Sequence, residues 1–454
     1  MASPLWSPEE LAQAFGSGVP ADAAPIEGVA IDTRTLRPGD LFVALPGDPG
    51  PRFKVSSRSG RDGHDFLAQA QAAGAAGALV SRPEAVPPGL PAWIVDDTID
   101  GLWALGRSAR ERVRGPVFAI TGSSGKTTTK QLLAAAADAV SQPGSLNNYL
   151  GVPVTLARMP ARTGPAVVEI GMNHAGEIAP LSMMTRPDVA VVVNVLNVHS
   201  ENFDDPDGIR REKLSITAGL RDDGVLVVRH GIRLEDQWRG ATLTFGDGRA
   251  DAWITDLEGE TATLEVAGTR LEAHVPGGGM HRAESVLAAL LACHAAGIEL
   301  RDAAERLAHL EPPRGRGNFL RAGAATLIDD SYNANPASMR AALRQLAAVR
   351  GPTTALLGEM LELDDPDGEH AGLAESTAGI DRLVLVGEGM RALQHALGDR
   401  DGVAWVASVA DLDVGALARG MAEDETVLLK GSNRVFWASD FAEVLFAALQ
   451  APRA

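Results

Sequence analysis

Pro116-Val117-Phe118-Ala119-Ile120-Thr121-Gly122-Ser123-Ser124-Gly125-Lys126-Thr127-Thr128-Thr129-Lys130-Gln131-Leu132-Leu133 reads as a short apolar strand, a Gly/Ser loop and the start of a helix. That order aims backbone N–H groups, the Lys126 ammonium and a helix N-terminus at one spot, which suits a phosphate chain. A hydroxyl directly after the lysine, here Thr127, can ligate Mg²⁺. The generic pattern G-x-x-x-x-G-K-[ST] has glycine where this chain has Ile120, so the loop is a variant form. We read a nucleoside triphosphate site made by Gly122, Ser123, Ser124, Gly125, Lys126, Thr127 and Thr128. The alternative is a Gly-rich strand-to-helix turn that holds no ligand.

Outward from this loop the chain alternates strands and helices, the pattern of an α/β protein. Ala166-Val167-Val168-Glu169-Ile170 and the apolar run Val189 to Val195 have the length of buried strands and end in polar residues. A parallel sheet is expected over 113–313, with ligands at the carboxyl ends of its strands. Arg114-Gly115-Pro116 and Glu311-Pro312-Pro313-Arg314-Gly315 are boundary signals. They divide the chain into 1–112, 113–313 and 314–454. The first part opens with a helix capped by Ser7, and the last alternates again through 325–329, 354–358, 382–387 and 426–430.

The 454 residues, 45% hydrophobic and 22% charged, describe an ordinary globular composition with room for several cores. A formal net charge of −18 argues against nucleic acid or an anionic membrane as partner. No apolar run approaches the ~18 residues of a membrane span. The start of the chain lacks the basic-then-apolar order of a signal peptide. The single cysteine, Cys293, lies in an apolar stretch and cannot form an internal disulfide, so a cytoplasmic setting is expected. Among 41 Lys plus Arg, lysine occurs only at 54, 126, 130, 213 and 430, which draws attention to Lys213 and Lys430.

Glu169, at a strand end, could hold a Mg²⁺ that bridges phosphates; alone it could equally be a salt-bridged structural residue. His199, in Asn197-Val198-His199-Ser200, has the same ambiguity. Lys213 falls in a helical segment, and its plain reading is a solvated helix face. Lys430-Gly431-Ser432-Asn433-Arg434 ends a strand in a turn rich in donors, suited to a carboxylate or phosphate. Asp329-Asp330-Ser331-Tyr332-Asn333-Ala334-Asn335-Pro336 offers hydrogen bonds for a sugar, a base edge or a small zwitterion, where a simple turn needs fewer such groups.

Together these motifs resemble the Mur ligases of bacterial cell-wall synthesis, whose T-G-x-x-G-K-T loop accounts for Ile120. The resemblance spans nearly the whole chain. It includes Asp32-Thr33-Arg34, Pro38 to Ala44 and Asp62-Gly63-His64-Asp65-Phe66 in the first part. Asn147-Asn148-Tyr149-Leu150-Gly151-Val152-Pro153, Glu169 to Asn173 and His199 follow, then Tyr332 to Pro336, Leu357 to Leu363 and Lys430 to Arg434.

The resemblance implies three domains: one binding a uridine diphosphate substrate, a central P-loop ATPase-like domain and a C-terminal Rossmann-like domain. It implies that Thr33, Arg34, Asp62 and His64 line the uridine side, with Asn147 and Asn148 also on substrate. Lys126, His199, Lys213 and Arg316 take catalytic roles, and Thr127, Glu169, His199 and Lys213 surround Mg²⁺, with Lys213 as a CO₂-derived carbamate. Asp330 and Asn335 contact ATP; Tyr332, Asn333 and Lys430 contact substrate. The implied partners are UDP-N-acetylmuramoyl-tripeptide and D-alanyl-D-alanine, joined by an ATP-dependent amide ligase expected to be a monomer.

Two departures stand out. The family's G-x-H-N-x-x-N is here Gly279-Met280-His281-Arg282-Ala283-Glu284-Ser285, so Arg282 is expected to stack on the base, and Lys213 is followed by Leu214-Ser215. The rival within the family, the ligase adding the third amino acid, typically carries D-N-P-R, which is absent here. Folylpolyglutamate synthetase lacks the uridine-binding domain, and a nucleotide-gated regulator would need only the phosphate loop.

Overall fold

The computed structural model describes residues 4–50, 53, 60–141, 144–196, 203, 207–312, 314–361, 363 and 365–451. The expected site residue His199, the boundary residue Pro313 and the motif residue Glu362 lie outside them.

The first part contains α1 (Pro8–Phe15), β1 (Gly28–Ala30), β2 (Asp40–Val43), α2 (Leu67–Ala72), β3 (Gly77–Val80), β4 (Ala92–Ile94) and α3 (Thr98–Arg112). Its strands form a four-stranded sheet in the order β1-β2-β3-β4, with every pairing parallel. The expected Ser7 cap is present as a capping box, in which Ser7 Oγ accepts from Glu10 N and Glu10 returns the bond to Ser7 N.

The middle part runs β5 (Val117–Thr121), α4 (Lys126–Ala136), β6 (Val140–Ser141), α5 (Gly151–Ala157), β7 (Ala166–Glu169), α6 (Ile178–Thr185), β8 (Val189–Val192) and α7 (Gly208–Leu214). It continues through β9 (Val225–Arg229), β10 (Ala241–Gly246), β11 (Ala252–Glu258), β12 (Thr261–Val266), β13 (Thr269–His274), α8 (Met280–Ala295) and α9 (Leu300–Leu307). The nine strands form one sheet in the order β13-β12-β11-β10-β9-β8-β5-β7-β6. β5, β7 and β8 are buried at every position, so each is a continuous apolar run rather than an alternating one, save for Thr121 and Glu169 at the carboxyl ends of β5 and β7.

The sheet is parallel from β6 to β11, as expected, but β11-β12 and β12-β13 are antiparallel. Two tight turns account for the departure: Gly259, between β11 and β12, has a φ of +58°, and Ala267 and Gly268, between β12 and β13, have +48° and +80°. That geometry folds the chain straight back on itself, and only an antiparallel neighbour can follow a turn so tight.

The last part comprises β14 (Asn318–Ala322), β15 (Ala325–Asp330), α10 (Pro336–Ala347), β16 (Thr353–Gly358), α11 (Pro366–Ala371), β17 (Arg382–Val386), α12 (Arg391–Leu397), β18 (Val403–Val406), α13 (Val414–Arg419), β19 (Thr426–Lys430) and α14 (Phe441–Gln450). Its six-stranded sheet has the order β14-β15-β19-β16-β17-β18, with only β14 antiparallel. Asp330 and Lys430 are register partners at the carboxyl ends of β15 and β19. Among the described residues no helix is long and apolar enough to cross a membrane.

The first two parts share a core. Trp6, Leu11, Leu102 and Leu105 belong to one buried cluster with Val117, Val154, Val168 and Leu181. The Trp6 indole N–H donates to Ala157 O at 2.9 Å, and Arg112 lies 3.4 Å over its ring. Trp6→Ala is expected to cost about 3–5 kcal/mol, read by urea denaturation. Trp6→Phe, which keeps most of the packing and loses the hydrogen bond, should cost about 1 kcal/mol. Equal losses for the two would show that the shared core contributes little.

Candidate active site

The phosphate loop leaves β5 and enters α4 through Gly125, whose φ of +74° is left-handed and favours glycine. Asn194, just past β8, clamps the loop: its Oδ1 accepts from Ser123 N and Ser124 N, both at 3.0 Å, and its Nδ2 donates to Ser124 O. β8 neighbours β5, so the residue after one strand reaches the loop after the other. Lys126 Nζ donates to Gly122 O at 2.8 Å. Burial pushes the Lys126 ammonium below its usual pKa and Arg316 adds to this, while Glu169 opposes both.

Glu169 ends β7 on the other side of β5 and is 3% exposed. Its Oε2 accepts from Thr127 Oγ1 at 2.9 Å, and its Oε1 accepts from Asn147 Nδ2 at 2.8 Å. Lys130, one helical turn beyond Lys126, brings its Nζ to 3.6 Å from Oε2. Ser145 Oγ then lies 3.1 Å from Thr127 Oγ1 and 3.4 Å from Tyr332 Oη, a polar chain from the middle sheet to the last part.

On the facing side, Lys430 Nζ donates to Asp330 Oδ2 at 2.6 Å and to Asn333 O at 3.1 Å. Burial alone would raise the Asp330 pKa, but Lys430 and Arg282 beside it hold it below the usual carboxylate range. The surrounding protein and then the Arg282 charge push the His281 pKa down to about 3, although its side chain stays open to the cleft. Arg316 stacks 4.0 Å over the Tyr332 ring, and Trp437 meets that ring edge-on at 5.1 Å.

These groups open on one cleft of about 660 Å³, lined by Ser123 to Thr128, Asn147, Glu169, Asn194, Arg316, Asp330, Tyr332, Asn333, Asn335 and Lys430 among others. Lys213, on α7, is 2% exposed and sits close enough to feel the Lys126 charge. Burial, reinforced by Lys126, drives its pKa well below that of a free lysine, so it is not on a solvated helix face.

Several expected site residues also make local structural hydrogen bonds. Asn335 Oδ1 caps α10 by accepting from Ser338 N, and Asn148 Oδ1 accepts from Leu150 N and Gly151 N at the start of α5. His64 is buried with Nδ1 on Asp62 and Nε2 accepting from Ser81 N, so its ring holds a turn. Asp62 also pairs with Arg82, and Arg34 folds back on Asp32 while staying exposed. Thr33, Arg34, Asp62 and His64 are not part of the cleft wall. Arg282, expected to stack on the base, lines the cleft, is 5% exposed and donates from its guanidinium to Gly277 O and Gly278 O, propping a glycine turn.

Among the described residues no cluster of three or more His, Cys, Asp or Glu could cage a metal. Mg²⁺ rarely needs one, since it is held by one or two carboxylates together with substrate phosphates and water. Glu169 beside Thr127 is a donor pair of that kind.

Residues 120–293 match the Mur ligase middle domain, and residues 315–433 match the Mur ligase glutamate ligase domain. The UDP-N-acetylmuramoyl-tripeptide–D-alanyl-D-alanine ligase of Escherichia coli is 35% identical over 395 residues, covering 82% of this chain and 84% of that one. The crystal structure of MurF from Acinetobacter baumannii (structure II) superposes with a TM-score of 0.83 at 29% identity, covering 98% of this chain and 100% of that one. MurF from Thermotoga maritima, solved with ADP, gives 0.78 at 25% identity over 93% and 98%. With a phosphate loop, a strand-end carboxylate and a facing Asp–Lys pair on one cleft, and both family domains matched along the chain, this protein belongs to the Mur ligases, a family of ATP-dependent ligases.

Proposed function

We propose that the chain joins D-alanyl-D-alanine to UDP-N-acetylmuramoyl-tripeptide, using ATP and releasing ADP and phosphate. The observation that supports it best is the convergence of Lys126, Glu169, Arg316, Tyr332 and the Asp330–Lys430 pair on one cleft. The Escherichia coli relative is named for this pair of substrates. Residues 1–112 take the uridine end, 113–313 the ATP phosphates, and 314–454 the nucleoside and the dipeptide. We place the enzyme in the cytoplasm, as a monomer.

In this reading the tripeptide carboxylate oxygen attacks the γ-phosphorus of ATP, the bond to the ADP oxygen breaks, and an acyl phosphate forms. The D-alanyl-D-alanine amine then attacks the acyl carbon, loses a proton, and phosphate leaves as the amide forms. Lys126 and Arg316 bind and orient the phosphates, and their fixed charges favour the more anionic transition state. The Asp330–Lys430 pair and the Asn333 side chain offer groups of both signs, as a zwitterionic dipeptide requires. Thr127 and Glu169 would hold Mg²⁺, with His199 and a Lys213 carbamate completing the set. When bound, the ion neutralises charge on the transferring phosphoryl group. An assay of ADP release should need the tripeptide nucleotide and D-alanyl-D-alanine together. Equal turnover with either omitted would overturn the assignment.

A further inference from the structure

Lys130 takes no part in the reading above, yet it is 3% exposed and lies at the centre of the metal-side network. Its Nζ donates to Gly144 O and sits 3.6 Å from Glu169 Oε2. Gly144 leads into Ser145, which reaches Thr127 and Tyr332, and Asn147, which holds the other Glu169 oxygen. One ammonium therefore ties the carboxylate to the loop that bridges the middle and last parts. It also adds charge: Lys126, Lys130 and Arg316 act electrostatically on the same region, against the single carboxylate of Glu169.

We propose that Lys130 is a positioning residue that sets the order of metal entry. It fixes the Glu169 carboxylate for the ion, and its charge keeps a bare divalent cation out until a polyphosphate arrives. A dication approaching Glu169 on its own meets an excess of positive charge a few ångströms away, which is unfavourable at the effective dielectric of a protein site. A nucleotide polyphosphate brings enough negative charge to reverse the sign. The ion then enters as the metal–nucleotide complex.

The inference rests on the reading of Glu169 as the metal carboxylate, so the experiment separates the two. Binding of Mn²⁺ alone, and of Mn²⁺ with ADP, is followed by the paramagnetic resonance of the free ion, with no turnover involved. Lys130→Met and Lys130→Gln should each bind Mn²⁺ without nucleotide at least about tenfold tighter than the unaltered protein. Lys130→Arg, which keeps the charge, should restore the weak binding. Glu169→Gln should weaken Mn²⁺ binding in the presence of ADP. If Glu169→Gln has no effect, the metal reading fails; if it does but Lys130→Met and Lys130→Gln leave the Mn²⁺ affinity unchanged, only the Lys130 inference fails. Thermal melting of both neutral variants accompanies the titration, and loss of folding in both would make Lys130 structural and overturn the proposal.

Discussion

Lys126→Ala is expected to lower kcat/KM by about 10²–10³-fold, roughly 2.7–4 kcal/mol of transition-state stabilisation, the range found when one charge-stabilising donor is removed. The geometry says why the loss should be large. Lys126 starts α4, its Nζ donates to the loop carbonyl of Gly122, and its ammonium feels the opposing charges of Glu169 and Arg316. No other cation is tied to the loop's own backbone in this way among the described residues, and Lys130 is tied instead to Glu169 and Gly144. Lys126→Arg should recover little, because a planar guanidinium cannot occupy the space of a compact ammonium against Gly122 O. Steady-state kinetics with saturating tripeptide nucleotide and D-alanyl-D-alanine would check this. A loss confined to KM for ATP would mean that the lysine binds ground state and transition state alike.

Local and long-range features of the site differ in how well sequence reveals them. The phosphate loop is legible because strand, loop, lysine and helix are contiguous, and the Gly125 φ of +74° shows why a glycine is there. Glu169 and Lys430 are legible as residues that end apolar runs, where α/β sheets place their ligands. Asn194 and Ser145 are not, since their roles depend on β8 and β7 flanking β5, a strand order that no spacing along the chain encodes. β9 to β13 also escape a reading tuned to buried parallel strands. β12, for example, is buried only at alternate positions, as expected for a half-solvated antiparallel sheet. Asn335, Asn148 and Asp62 carry a second, local role that spacing along the chain does not reveal. Short polar side chains serve as helix caps and as ligands with the same chemistry, and only the fold shows which backbone N–H they meet.

Lys213 is the second residue whose loss should be severe, because its burial shifts the balance from the ammonium toward the uncharged amine. Carbamate formation needs a neutral amine to attack CO₂, and a free lysine with a pKa near 10.4 is almost wholly charged at neutral pH. Burial of Lys213, reinforced by the nearby Lys126 charge, lowers that pKa well below that of a free lysine, which raises the share of the neutral amine. Once carboxylated, the side chain would carry a negative charge toward Lys126, turning a repulsion into an attraction and adding an oxygen ligand for Mg²⁺. Incubation with ¹³C-bicarbonate should therefore give a carbamate carbon resonance that is absent from Lys213→Ala. Lys213→Ala should lose about 10²–10³-fold in kcat, roughly 3–4 kcal/mol, with most of the binding of ADP retained. Lys213→Arg should fare no better, because it keeps a positive charge beside Lys126 and cannot be carboxylated at neutral pH. Unimpaired turnover by Lys213→Ala would leave the buried lysine as a structural residue only.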